Sequence, residues 1–183
     1  QTFRANVPAV RRMLGAAGMF STGTNLVTTL LKKNCQIHER VVQYGPNATK
    51  EAHGMRWQVP WGKHTPAHYK YAHAAKMATQ INKDDILPVV SIRNPYLWMK
   101  SMCKNPYAAK WPHRRDACPN LQAADSSWNA VTVTYGAGAE TYQSLAHLFN
   151  DWYHEYTRNA TYPWMMIRME GERVCGTLDA NKI

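Results

Sequence analysis

The sequence predicts an α/β domain, a three-layer sandwich with a mainly parallel central sheet. Three observations point there. Short apolar runs alternate along the chain with segments of helical periodicity. The run Ile86-Leu87-Pro88-Val89-Val90-Ser91-Ile92 is almost continuously apolar, which suits an interior parallel strand. The first apolar run passes through a turn of small residues straight into a helical pattern. With 183 residues there is room for one sizeable core, so residues 1–183 read as a single domain.

Taken in order, residues 11–19 form a short buried strand that ends in a turn. A helix opens at Gly23 and runs to about Lys33, with Leu26, Leu30 and Leu31 on one face. Residues 36–44 read as a second strand, closed by the turn signal Gly45-Pro46-Asn47. Residues 55–60 read as another strand, and 67–80 as a helix. The strand at 86–92 follows, with Pro88 weakening the start of its ladder. A helix begins at Pro95, because proline is tolerated in a first turn. Pro106, Pro112, Pro119, Gly136 and Gly138 interrupt any pattern, so 104–139 reads as a long irregular insertion. Tyr142, Leu145, Leu148, Phe149, Trp152 and Tyr156 recur at helical spacing and predict a helix over 140–158. Residues 164–169 read as the last strand.

Hydrophobic residues make up 45% and charged residues 19%, a globular composition. No apolar stretch approaches the roughly 18 residues of a membrane span. The start of the chain has neither a basic-then-apolar secretion signal nor an initiator Met, so the numbering reads as beginning inside a longer precursor. The net charge is +10, and basic pairs such as Arg11-Arg12, Lys32-Lys33 and Arg114-Arg115 are scattered rather than gathered in a tail. Such a surface attracts polyanions, and it equally serves plain solubility. Cys35, Cys103, Cys118 and Cys175 form no CxxC pair, so no metal is expected. Cys103 and Cys118 bracket a Pro- and Arg-rich loop and are candidates to bridge; free thiols are the alternative. Sequons stand at Asn47-Ala48-Thr49 and Asn159-Ala160-Thr161. With the cysteines they point toward an endomembrane (Golgi) lumen, with an organelle or the cytoplasm as alternatives.

Two segments carry chemistry together. In Gly18-Met19-Phe20-Ser21-Thr22-Gly23-Thr24-Asn25, small residues let backbone N–H groups turn inward toward an anion. The helix that follows adds its positive end. Ser21, Thr22, Thr24 and Asn25 supply side-chain donors. Gly18 and Gly23 have the spacing of a Walker A loop, but Thr24 stands where its lysine belongs, which disfavours an ATPase, GTPase or nucleotide kinase. A plain capped strand–helix turn is the structural alternative. The second segment is Ser91-Ile92-Arg93-Asn94-Pro95-Tyr96-Leu97-Trp98-Met99-Lys100-Ser101. Arg93 emerges at the carboxyl edge of the sheet, where open α/β folds bind ligands, and Ser101 follows two helical turns on. A guanidinium fork beside a hydroxyl suits a phosphate monoester. An ion pair at a helix end is the structural alternative.

In this order and spacing, the two segments resemble the sulfotransferases that use 3′-phosphoadenylyl sulfate. That family's first loop reads roughly P-K-S-G-T-T-x-L and binds the 5′-phosphosulfate end. Its second motif reads R-D-P-x-x-x-x-x-S and binds the 3′-phosphate. Thr22-Gly23-Thr24-Asn25 is similar to the core of the first. Arg93, Pro95 and Ser101 match the second, with Asn94 replacing the acid. The late helix and Met166-Ile167-Arg168-Met169-Glu170-Gly171 resemble the family's closing helix and strand, so the likeness spans about residues 12–171. It implies a P-loop NTPase-like sulfotransferase fold, with Ser21, Thr22, Gly23, Thr24, Asn25, Arg93 and Ser101 on the nucleotide.

Trp61-Gly62-Lys63-His64-Thr65-Pro66 resembles the Lys-Thr-His-x-Pro segment of cytosolic members, with His and Thr exchanged. The resemblance makes His64 the general base, and Lys63 a cation to neutralise the sulfuryl charge. His68 and Glu39 are the alternatives for the base. Two features depart from the family. Ser21 aligns with the first-loop lysine, and the chain lacks the Arg-Lys-Gly segment that completes the 3′-phosphate site in cytosolic members, so it reads as either a shorter variant or a truncated sequence. Among seven tryptophans, Trp111 in the insertion is the candidate acceptor contact.

The expected partners are a nucleotide cosubstrate and a glycan or small-molecule acceptor, not nucleic acid. The expected reaction moves a sulfuryl group to a hydroxyl or amine. The alternative is an inactive domain of this fold, serving as a binding or structural subunit of a larger assembly.

Overall fold

A four-stranded parallel sheet lies at the centre of the protein in the computed structural model, which describes residues 3–72, 81–114, 116–136 and 138–170. In chain order the helices are α1 (Phe3–Asn6), α2 (Thr24–Asn34), α3 (His38–Tyr44), α4 (Tyr69–Ala72), α5 (Pro95–Lys104) and α6 (Leu145–His154). The strands are β1 (Met13–Gly18), β2 (Met55–Arg56), β3 (Ile86–Ile92), β4 (Ala109–Lys110), β5 (Val131–Tyr135), β6 (Gly138–Tyr142) and β7 (Met165–Arg168). The central sheet runs β2-β1-β3-β7 with every pairing parallel. The class is therefore α/β.

Both faces of this sheet are buried, and alternate residues of each strand serve the two faces. Leu14, Ala16, Leu87 and Val89 pack with Val27 and Leu31 of α2. Met13, Ala17, Ile86 and Val90 pack with Trp98 and Met102 of α5 and with Leu145, Leu148 and Trp152 of α6. Pro88 is tolerated because β7 begins to pair only at Val89, so Pro88 has a neighbouring strand on one side alone.

The structure revises several of these expectations. Residues 36–44 contain a helix, not a strand: Ile37 and Val41 sit one turn apart, and Arg40 turns inward to donate to the carbonyls of Ala52 and Val10. The adjacent valines imitate a strand signal, yet Val42 is exposed. On α2 the buried stripe is Thr24, Val27, Thr28 and Leu31, while Leu26 faces solvent. The helix expected over 140–158 starts at Leu145, where the Ser144 hydroxyl caps it, and it widens into a π turn at Glu155–Asn159. Tyr142 belongs to β6 instead.

The insertion is not irregular throughout. It holds an antiparallel sheet, β4-β5-β6, whose Val131, Val133 and Tyr135 alternate inward and join the main core. Cys103 and Cys118 form a disulfide that ties the end of α5 to this insertion. The 67–80 helix appears as α4, and residues 73–80 lie outside the described residues. The strand expected at 55–60 is only the short β2, although the chain stays beside β1 long enough for Val59 N–H to donate to Ala16.

Candidate functional site

β1 ends at Gly18, and the backbone must turn sharply over the end of β3. A side chain at Gly18 would overlap Ser91 Oγ and come within 2.8 Å of Thr22 Oγ1, so only glycine fits. Thr22 is fully buried, and its hydroxyl bonds Met19 O at 2.7 Å and Ser91 Oγ at 2.9 Å. The Thr22 side chain is thus the anchor of the loop, not a donor to ligand, which corrects the role expected from the sequence. Trp98 Nε1 holds the other shoulder by donating to Phe20 O at 2.8 Å.

With the loop pinned from below, its outer edge faces solvent. Ser21 has φ 59° and Gly23 φ 79°, both in the left-handed region. The first bond inside α2 is Val27 N–H to Gly23 O, so the N–H groups of Thr24 and Asn25 have no partner within the helix. They point, with the helix's positive end, toward a cleft of about 400 Å³.

Ser21, Gly23, Thr24, Asn25, Lys63, His64, Arg93 and Ser101 all line this cleft. Eight of the nine residues singled out in the sequence therefore meet at one place; Thr22 lies beneath it. Arg93 leaves the end of β3, and its Nη1 donates to Ser101 Oγ at 2.8 Å and to Ser21 O at 3.2 Å. That guanidinium physically joins the two segments. Its Nε faces Glu170 at 3.6 Å, and the same carboxylate accepts from Asn94 N–H. Asn94 in turn caps α5, its Oδ1 accepting from Tyr96 and Leu97 N–H.

The segment 61–65 reaches the cleft from the opposite wall. Gly18 N–H donates to Lys63 O at 2.7 Å, and Trp152 Nε1 donates to His64 O at 2.9 Å. Lys63 Nζ donates to Asn25 Oδ1 at 2.5 Å and lies 4.7 Å from the Trp57 ring centroid. It brings an ammonium to the 21–25 loop, which carries no cation of its own. Burial holds the Lys63 pKa below its usual value.

His64 Nδ1 lies 2.7 Å from Gly18 O. A carbonyl only accepts, so Nδ1 carries the proton and Nε2 carries the lone pair. The ring packs on Phe20 at 4.4 Å. Burial, with Lys63 adding to it, lowers its pKa to about 4, so it is neutral at physiological pH.

The alternative bases are elsewhere. His68 lies between Glu140 and Glu155, at 3.4 and 2.9 Å, and does not line the cleft; nor does Glu39, on α3. Trp111 is buried, donates to Pro119 O and stacks on His113, so it is a core residue and not an acceptor contact. Four cleft residues were not singled out: Phe20, within the loop itself, and Lys104, Asn105 and Tyr107. Lys104 follows Ser101 by three residues and so shares its helix face, a signal present in the sequence. Tyr107 gave none, because its position depends on a backbone φ of 54° that brings its ring onto Phe20.

Among the described residues, no cluster of His, Cys, Asp and Glu is placed to hold a metal ion, and no helix is long and apolar enough to cross a membrane. No protein-family model, characterised protein or solved structure matches this chain.

Proposed function

We propose that this chain is a sulfotransferase-type domain with the P-loop-like fold of that family. It binds 3′-phosphoadenylyl sulfate in the cleft and passes the sulfuryl group to a hydroxyl or amine acceptor, with a carbohydrate favoured. The observation that carries this reading is the contact of Arg93 with Ser101 at 2.8 Å and with Ser21 at 3.2 Å. It places a cationic fork and a hydroxyl beside a helix N-terminus, which are two anion-binding ends in one cleft.

The residues present fit such a nucleotide. The Thr24 and Asn25 N–H groups and the Ser21 hydroxyl suit a 5′-phosphate, and Arg93 with Ser101 suits a 3′-phosphate. Bound there, the nucleotide supplies an activated sulfuryl group with a good leaving oxygen. His64 Nε2 takes the acceptor's proton as the new sulfur–oxygen or sulfur–nitrogen bond forms and the bond to the leaving oxygen breaks. Lys63, steadied by Asn25, offsets the charge on the transferring group.

Isothermal titration with 3′-phosphoadenosine 5′-phosphate tests the reading. Micromolar binding supports it, and no binding at high micromolar concentration sinks it. Transfer of labelled sulfate to a glycan panel then tests the chemistry.

Ser21 favours a second reading, a domain that keeps the nucleotide site without turnover and acts as a subunit of a larger assembly. Nucleotide binding with no transfer to any acceptor separates it from the first.

A further inference from the structure

A second and larger depression, of about 1110 Å³, lies against the cleft. Tyr96, Met99, Lys100, Cys103 and Lys104 of α5 form one wall, and His113, Cys118, Pro119 and Leu121 form the other. The α5 residues fall at helical spacing on one stripe. Helix α5 thus has three faces in use. Trp98 and Met102 enter the core, Ser101 meets Arg93, and the third stripe faces this groove. Lys104 lines both depressions, so the groove and the cleft are neighbours.

Its chemistry is specific. Lys100 and Lys104 are exposed and form no ion pair among the described residues, and His113 stands across from them. Among the described residues, no acidic side chain lines the groove. The exposed Tyr96 ring and the apolar surfaces of Met99, Pro119 and Leu121 line the same groove. An aromatic ring with apolar neighbours suits the C–H face of a pyranose, and two unpaired ammonium groups suit carboxylate or sulfate.

We infer that this groove is the acceptor site and that the acceptor is an acidic carbohydrate. The inference rests on the sulfotransferase reading for the word acceptor, and on the groove itself for the word acidic. The ring lies on Tyr96, the acidic groups lie on Lys100 and Lys104, and the reacting hydroxyl enters past Lys104 and Tyr107 toward His64.

The test compares a uronic-acid-containing oligosaccharide with a neutral oligosaccharide of the same length. Titration against the wild-type chain, Lys100→Glu and Tyr96→Ala is run beside titration with 3′-phosphoadenosine 5′-phosphate. The expected result is binding of the acidic sugar only, weakened about tenfold by Lys100→Glu and by added salt, with nucleotide affinity unchanged. Equal binding of the two sugars, or no effect of Lys100→Glu, overturns the inference while leaving nucleotide binding intact. Acidic-sugar binding without any nucleotide binding overturns the sulfotransferase reading instead, and with it the acceptor role. Circular dichroism of both variants, which alter solvent-exposed side chains, establishes that they are folded.

Discussion

His64 donates from Nδ1 to the carbonyl oxygen of Gly18, across 2.7 Å. The bond runs between the base candidate and the residue where β1 turns into the anion-binding loop. Gly18 returns the contact, since its N–H donates to Lys63 O. Loop and base segment are therefore tied together at two points, and the orientation of the imidazole is set by the turn that follows β1.

This geometry predicts a specific pH profile. In the free protein His64 loses its proton at about 4. Above that pH Nε2 is available, and below it protonation removes the base. The acid limb of kcat/KM should therefore lie near pH 4, with activity falling as the pH drops through it. A bound anionic nucleotide favours the imidazolium, so the limb of kcat should lie higher. His64→Gln should lower kcat by about 10²-fold or more, while nucleotide affinity stays within about twofold. A kcat/KM limb near the ordinary histidine value would place the base elsewhere.

Arg93 makes the second prediction. Its guanidinium bonds Ser101 and Ser21 O, and Glu170 steadies it from behind. Arg93→Ala should weaken 3′-phosphoadenosine 5′-phosphate binding by about 2 kcal/mol, the scale of a charged hydrogen bond lost. Adenosine 5′-phosphate, which lacks the 3′-phosphate, should be weakened far less. Equal losses for the two ligands would move the 3′-phosphate site away from Arg93.

The parts of the site that local chemistry fixes were legible in the sequence. Gly18, Gly23 and the strand at 86–92 were readable because a glycine turn and an apolar run each have a local cause. Arg93 and Ser101 were readable because each has a local cause: the apolar strand delivers Arg93 to the edge of the sheet, and the helix that Pro95 opens carries Ser101. Thr22 was misread because only the tertiary fold puts Ser91 Oγ beneath it. The α3 helix was misread because valines favour strands, and the burial of Arg40 against Ala52 and Val10 overrides that preference. The alternation of Val131, Val133 and Tyr135 was a plain strand signal, hidden by the prolines and glycines around it.

Thr22 and Gly18 yield a stability prediction. Thr22→Val keeps the volume and removes the hydroxyl, leaving Met19 O and Ser91 Oγ without it. Thermal or urea unfolding should show a loss of about 1–3 kcal/mol. Gly18→Ala should cost more, because its Cβ overlaps Ser91 and the residue sits at φ 151°. Ser21→Ala, on the exposed side of the same loop, should change stability by less than about 0.5 kcal/mol. A Thr22→Val protein as stable as wild type would remove Thr22 as the anchor.

The Cys103–Cys118 bridge separates the two depressions experimentally. It closes a loop with a sequence separation of 15, and both sulfur-bearing residues line the groove rather than the nucleotide cleft. A bridge over a loop of this length contributes about 3 kcal/mol, so Cys103→Ser with Cys118→Ser should lower the melting temperature by several degrees. Arg93 and the 21–25 loop are held by β3, by Trp98 Nε1 on Phe20 O and by the Thr22 anchor, none of which depends on the bridge, although Ser101 stands on α5 two residues before Cys103. Nucleotide affinity measured well below the melting temperature should therefore persist, while affinity for the acidic oligosaccharide falls as the 113–121 wall is released from α5. Parallel loss of both would mean that the insertion supports the nucleotide site directly, which the hydrogen bonds of the loop do not require.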